Sequence, residues 1–283
     1  MSTPTDSETV LRIGAVKYLN SKPLVHGLSE ALPTADVIYD LPSRLADQLK
    51  AGTIHVALVP IVEYLRQPKF RLVSNACVGC RGPVLSVKVY FRTAPEQVKT
   101  LALDEGSRTS AALAQVLLYQ HAGVRPQLQP LPIGDRLEDS SADAVLLIGD
   151  RAMYPPSQEF HAVWDLGEQW CQQTGLPFVF AAWVAGPEMP YDVGRLATVL
   201  EQVRDQGLAA VDTIATREST KLGIERELAY HYLSENLHFR MGPAEQQGIE
   251  QYARRCVELK LIDEPVPPHR FRYHSEYDDC TTH

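Results

Sequence analysis

The sequence predicts a two-lobed α/β protein, and three observations carry that prediction. At 283 residues the chain reaches the size at which single cores divide. Short apolar strand patterns alternate with helical ones from residue 11 to about 260. Two longer apolar runs, 84–91 and 178–184, bracket the second group of strands, as crossings between lobes would.

In order along the chain, the first strands read 11–16, 36–39 and 55–59, and the second group 100–103, 127–131, 144–148 and 162–166. The run Ala144-Val145-Leu146-Leu147-Ile148 is apolar throughout, the pattern of a strand covered on both faces. Helices close the chain. Val193, Leu196, Leu200, Val203, Leu208 and Val211 fall at helical spacing. So do Ile249, Tyr252, Cys256 and Leu259, behind the helix-start proline Pro243. The expected organisation is a discontinuous first lobe, 10–90 plus 187–264, with a second lobe, 91–186, inserted into it. Residues 1–9 and 265–283 read as loosely ordered termini, rich in Pro, Asp, His and Tyr. No internal repeat or low-complexity segment interrupts the pattern.

Composition narrows the function. Hydrophobic residues at 45% and charged residues at 22% describe an ordinary globular protein. A net charge of −8, from 27 basic and 35 acidic residues without a Lys/Arg block, argues against a broad nucleic-acid surface. No run of about 18 apolar residues offers a membrane span. Residues 1–10 lack the basic start and apolar stretch of a secretory signal. The five cysteines (Cys77, Cys80, Cys171, Cys256, Cys280) are odd in number and scattered, so the expected compartment is the reducing cytoplasm. An anionic ligand would have to be held by local dipoles or a few cations against the overall charge.

Several strands end in polar turns that open helices. Asn20 and Ser21 can cap the helix that Pro23 begins, and Ser43 is placed to cap the next. Val59-Pro60-Ile61 opens another. Leu103-Asp104-Glu105-Gly106-Ser107-Arg108-Thr109-Ser110 gathers three hydroxyls, unbonded backbone N–H groups and the positive end of a helix dipole, a ready site for a carboxylate or phosphate. Capping and ligand contact both remain open for these hydroxyls, as for Asn20. Arg108 reads either as a cation for an acidic ligand or as an exposed helix-start arginine. Cys77-x-x-Cys80 lacks a second pair at metal spacing, and the nine histidines form no metal or hydrolase pattern. His231 and His238 flank a helix end and read as structural or exposed. Gly-x-Gly-x-x-Gly, P-loop and Gly-x-Ser-x-Gly motifs are absent.

Taken together, the motifs resemble a known family. Gly14-Ala15-Val16-Lys17-Tyr18-Leu19-Asn20-Ser21-Lys22-Pro23 resembles the opening signature of the chorismate dehydratases of the futalosine route to menaquinone. The likeness continues through Val56-Ala57-Leu58-Val59-Pro60, Gly82-Pro83-Val84-Leu85-Ser86-Val87 and Ser107-Arg108-Thr109-Ser110. It extends through Ala144-Val145-Leu146-Leu147-Ile148-Gly149-Asp150, Asp165-Leu166-Gly167 and the distinctive Thr174-Gly175-Leu176-Pro177-Phe178-Val179-Phe180-Ala181-Ala182-Trp183. One departure is Cys77-Val78-Gly79-Cys80-Arg81 before Gly82, where relatives carry an aspartate or small residue just before the glycine.

The resemblance implies a type II periplasmic-binding-protein-like fold, with two α/β lobes and a ligand cleft at a two-strand hinge. It implies elimination of water from chorismate to give 3-[(1-carboxyvinyl)oxy]benzoate, with no metal or organic cofactor. On motif position and helix starts, Ser86, Ser107, Thr109 and Ser110 are assigned to carboxylate binding, with backbone at Ile148 and Gly149 lining the second lobe. Asn20 is assigned the catalytic, substrate-positioning role. The motifs hold no obvious side-chain base, and the resemblance supplies one in the substrate's own enolpyruvyl carboxylate; Asp150 is the reserve candidate. The alternatives are a 1,4-dihydroxy-6-naphthoate synthase of the same pathway, or a non-catalytic small-acid-binding protein.

Overall fold

The computed structural model describes residues 10–154, 156, 158–264 and 266–273. The chain opens with β1 (Arg12–Val16), α1 (Lys22–Val25), α2 (Leu28–Ala31), β2 (Asp36–Asp40), α3 (Pro42–Lys50), β3 (Val56–Pro60), α4 (Ile61–Arg66) and β4 (Arg71–Cys80). It then builds β5 (Val87–Phe91), β6 (Thr100–Asp104), α5 (Arg108–Ala122), β7 (Gln127–Leu131), β8 (Ala144–Ile148), β9 (Ala162–Asp165) and α6 (Leu166–Thr174). It closes with β10 (Phe178–Ala185), α7 (Val193–Ala209), α8 (Val211–Leu222), α9 (Arg226–His231), β11 (His238–Arg240) and α10 (Pro243–Glu258).

These strands make two mixed sheets flanked by helices. The six-stranded sheet runs β11-β4-β10-β3-β1-β2, and the five-stranded sheet β7-β6-β8-β5-β9. In the first, β1 is parallel to β2 and β3, while β10 lies antiparallel between β3 and β4. In the second, β6 is parallel to β7 and β8, and β5 is antiparallel to β8 and β9. Every residue of β3 and β8 is buried, as their unbroken apolar sequences require. Alternation then divides β8 between two cores: Ala144, Leu146 and Ile148 join the main cluster, whereas Val145 and Leu147 pack with Tyr90 and Leu137 on the opposite face. Among the described residues, no helix is long and apolar enough to cross a membrane.

Sheet membership changes over residues 81–86 and again over 175–177. The long apolar runs therefore do not cross: β5 lies wholly in the five-stranded sheet and β10 wholly in the six-stranded one. Their continuous apolarity reflects a place between neighbours on both sides. The sequence also hides β4, whose Ser74, Asn75 and Gly79 break the apolar pattern although the strand is almost wholly buried.

Two capping expectations change. Pro42 begins α3 with Leu41 at its N-cap, so Ser43 lies inside the first turn and makes no capping bond. The Ser21 hydroxyl donates backwards to the carbonyls of Val16 (2.6 Å) and Tyr18 (2.9 Å) instead of capping α1. The C-terminal expectation changes as well over 266–273. Arg270 is buried, stacks 4.4 Å over the Tyr64 ring and donates to the carbonyls of Tyr64 (2.7 Å) and Gln67 (2.8 Å), satisfying the end of α4. Residues 1–9 and 274–283 lie outside the described residues.

Candidate active site

The ends of β1, β3, β6 and β8 converge on one cavity between the lobes, the usual position for a ligand in open α/β sheets. About 510 Å³ of empty space lies within it, part of it open to solvent. Val16, Tyr18, Asn20, Pro42, Pro60 and Phe180 line it from the six-stranded side; Ser86, Val87, Ser107, Ser110, Ile148 and Gly149 line it from the other. Six of the seven residues assigned from sequence thus share one wall-to-wall space. None of the lining residues is Asp, Glu, His, Lys, Arg or Cys.

Helix α5 supplies one polar end. Ser107 is its N-cap: the side-chain oxygen accepts from the Ser110 N–H (3.3 Å) and lies 2.9 Å from the Ser110 hydroxyl oxygen. The first-turn N–H groups have no intrahelical acceptors, and the dipole's positive end faces the same space. Thr109 is a correction. Its fully buried hydroxyl accepts from the Val62 N–H (3.2 Å), and its carbonyl accepts from the Tyr252 O–H (3.1 Å). About 100° of helical rotation per residue turns Thr109 away from the face that Ser107 and Ser110 share. It clamps α5 to α4 and α10 and does not line the cavity.

A strained turn supplies the other donor. The Asp165 carboxylate accepts four backbone bonds: from Val84 (2.9 Å), Leu85 (2.6 Å), Gly167 (3.0 Å) and Glu168 (3.1 Å). It caps α6 while pinning the first crossing segment against it. Leu85 takes φ +65°, and the Ser86 N–H donates to the Val84 carbonyl (2.7 Å) in a γ-turn. A leucine in that region is unfavourable and is held there by its neighbours. The turn aims Ser86 inward, where its Oγ accepts from the Tyr232 O–H at 2.6 Å.

Tyr232 was not identified from sequence. It is fully buried on a π-helical turn, Tyr232–Asn236. Burial pushes its phenol's pKa well up, and the Asn20 side chain lies close enough to the phenol to lower it. No sequence spacing marks such a turn, although π-turns are frequent at functional sites. Tyr18, a motif residue with no role expected from sequence, packs its ring against Gly149, where a Cβ would lie 3.3 Å from it. Its hydroxyl abuts Gly106, and burial, then the nearby Asp104 charge, raises its pKa to about 12.

The acids around the cavity are committed elsewhere. Asp104 is buried, pairs with Arg151 at 2.6 Å and accepts from the N–H groups of Gly106 (2.8 Å) and Ile148 (3.3 Å). Burial raises its pKa, and the Arg151 charge opposes this. The Gly149 N–H donates to the Ser86 carbonyl (2.8 Å), so Ile148 and Gly149 shape the wall with both donors already used. Asp150, the reserve base, does not line the cavity; it accepts from the Leu19 N–H across the lobes at 3.1 Å. Burial raises its pKa as well. Arg108 is not a spare cation. It makes a two-pronged bond to Asp47 (2.8 and 2.7 Å) and lies 3.3 Å from Glu63, bridging the lobes outside the cavity. Cys77 and Cys80 lie unpaired and buried on β4. Among the described residues, no three His, Cys, Asp or Glu side chains are grouped to hold a metal ion.

The chain and its fold are shared with known proteins. The model of a family described as menaquinone biosynthesis matches residues 11–258. A chorismate dehydratase from Thermus thermophilus is 33% identical over 258 residues, covering 85% of this chain and 93% of that protein. Among solved structures, a protein from Archaeoglobus fulgidus superposes with a TM-score of 0.67 at 14% identity, covering 91% of this chain and 100% of that one. The periplasmic aliphatic sulphonate binding protein of Escherichia coli superposes at 0.59 with 14% identity, covering 94% of this chain and 92% of that one. The fold is the bilobed type II periplasmic-binding-protein-like one.

Proposed function

The chain belongs to the menaquinone-biosynthesis family, and from that membership we propose that it is a chorismate dehydratase, a carbon–oxygen lyase. The observation that carries the reading is a cavity whose polar lining is all hydroxyl and amide, with no side chain ionised at neutral pH. Chorismate brings two carboxylates. In a chain of net charge −8, fixed neutral donors hold them without adding a counter-charge. The Ser107 and Ser110 hydroxyls and the first turn of α5 receive one carboxylate; Ser86 donates to the other. Each such bond to a charged acceptor contributes about 1.5–3 kcal/mol.

The reaction removes the C3 proton, and its electron pair completes the aromatic ring as the C4–O bond breaks; proton and hydroxide leave as water. With Tyr18 held neutral by its pKa of about 12, no lining side chain serves as base at pH 7. The substrate's enolpyruvyl carboxylate is the base, and the protein aligns it, an effect able to supply ~7 kcal/mol or more. Asn20 hydrogen-bonds the departing hydroxyl. The reading includes a cytoplasmic setting, which the free state of Cys77, Cys80, Cys171 and Cys256 supports. The test is incubation of purified protein with chorismate beside a heat-inactivated control. The expected result is loss of chorismate with one equivalent of the aromatic enolpyruvyl ether; chorismate left intact overturns the proposal.

A further inference from the structure

The strongest unassigned feature is a buried phenol that touches both a six-stranded-side residue and a crossing-segment residue of the cavity without lining it. Tyr232 donates its only proton to Ser86 Oγ at 2.6 Å. The Asn20 amide lies beside the phenol oxygen, close enough to lower the phenol's pKa. A serine hydroxyl has one proton and two acceptor sites. With an acceptor site filled by Tyr232, and no acceptor for the serine proton among the described residues, that proton is left to the cavity. An amide that turns its NH₂ toward the phenol oxygen has its carbonyl direction set as well.

We infer that Tyr232 is a positioning residue that orients two cavity groups at once, turning the Ser86 proton toward the substrate carboxylate and fixing the Asn20 amide against the reacting ring. The inference rests on the proposed dehydration and deepens it. The phenol suits the task because its pKa lies far above its ordinary value of 10, so its proton stays in place at working pH. Its rigid ring is fully buried, and the π-turn that carries it leads directly to β11. Neighbouring contacts tie the same region down: Asn236 donates to the Pro83 carbonyl at 3.0 Å, linking the turn to the crossing segment.

A ring that only filled space would act through packing, and Tyr232→Phe keeps the ring. The expected effects divide between two parameters. Tyr232→Phe raises KM through Ser86 and lowers kcat through Asn20, each by roughly 10-fold, the size of one hydrogen bond to a charged or reacting group. In a Ser86→Ala background, adding Tyr232→Phe leaves KM where Ser86→Ala put it but still lowers kcat. In an Asn20→Ala background the pattern reverses. Effects that multiply independently in both backgrounds overturn the inference.

Failure of the parent reading is separable. If wild-type protein leaves chorismate intact, dehydration is refuted, and Tyr232 is judged by calorimetric titration with isophthalate, an aromatic dicarboxylate. There Tyr232→Phe and Ser86→Ala each weaken binding, and the double variant binds no more weakly than Ser86→Ala; additive losses, or no binding of the probe, overturn the inference. If Tyr232→Phe fails to fold, the cycle between Ser86→Ala and Asn20→Ala decides. Linkage through the phenol makes their combined loss in kcat/KM depart from the product by about 3-fold or more; an exact product overturns it.

Discussion

Asp165→Asn isolates one bond of the crossing segment. In the native chain one carboxylate oxygen accepts from Val84, Gly167 and Glu168, and the other accepts from Leu85 at 2.6 Å. An asparagine can keep its oxygen on the first three, since asparagine caps helices as well as aspartate does. Its NH₂ then meets the Leu85 N–H, donor against donor. The lost charge-assisted bond and stranded N–H cost about 2–3 kcal/mol, and the lost charge at the α6 N-terminus about 0.3–1. Release of Leu85 from φ +65° returns about 1. The net is a destabilisation of about 2 kcal/mol. For a chain of this size that lowers Tm by roughly 4–8 °C, read by calorimetry. Because Leu85 carries Ser86, KM for chorismate rises by roughly 10-fold. An unchanged Tm refutes the bond accounting; a lowered Tm with unchanged KM refutes the claim that this turn aims Ser86.

Two further predictions separate neighbouring roles. Ser110→Ala raises KM by roughly 10-fold or more with little change in denaturant midpoint, whereas Thr109→Val lowers stability by about 1–3 kcal/mol, through the stranded Val62 N–H, with KM nearly unchanged. Steady-state kinetics and urea unfolding of the two variants check this, and exchanged phenotypes refute the placement. The third concerns alkaline pH. Tyr18 has its pKa raised to about 12 by burial, against about 10 when unfolded. Its contribution is fully present below pH 10 and is lost as pH rises toward 12, because only the unfolded chain ionises over that window. Tyr18→Phe therefore flattens the fall in unfolding free energy between pH 10 and 12; an identical slope in both proteins refutes the buried placement of the ring.

The parts of this protein legible in sequence are those fixed by neighbours in the chain. β3 and β8 declare themselves by unbroken apolarity, and Ser107 by the cap chemistry it shares with Ser110. Apolarity reports burial but not which sheet does the burying, so the runs that form β5 and β10 read as crossings when each belongs to one sheet. β4 is buried between β10 and β11 yet carries Ser74, Asn75 and Gly79, and at Gly79 an added Cβ would meet the Phe178 carbonyl oxygen at 2.8 Å. Close backbone approach there selects a glycine, which a pattern search reads as a break. Thr109 misleads for the opposite reason, since residues adjacent in sequence point in different directions within a helix. Tyr232 lies 146 residues from Ser86, and nothing local to either announces the pair.

The cavity's neutrality is built from acids. Asp104, Asp150 and Asp165 all lie close behind its walls, yet their oxygens take backbone N–H groups of Gly106, Ile148, Leu19, Val84, Leu85, Gly167 and Glu168, with Arg151 on Asp104. These bonds offset negative charge near the space a dianion must enter, and three of them fix a backbone segment that carries a cavity donor: Leu19 beside Asn20, Leu85 beside Ser86, Gly106 beside Ser107. The remaining excess charge lies mostly on exposed side chains, where a screening length of about 8 Å at physiological salt blunts its reach. A protein of net charge −8 can therefore present a neutral, donor-lined interior, because its inner carboxylates serve as the frame on which those donors are mounted.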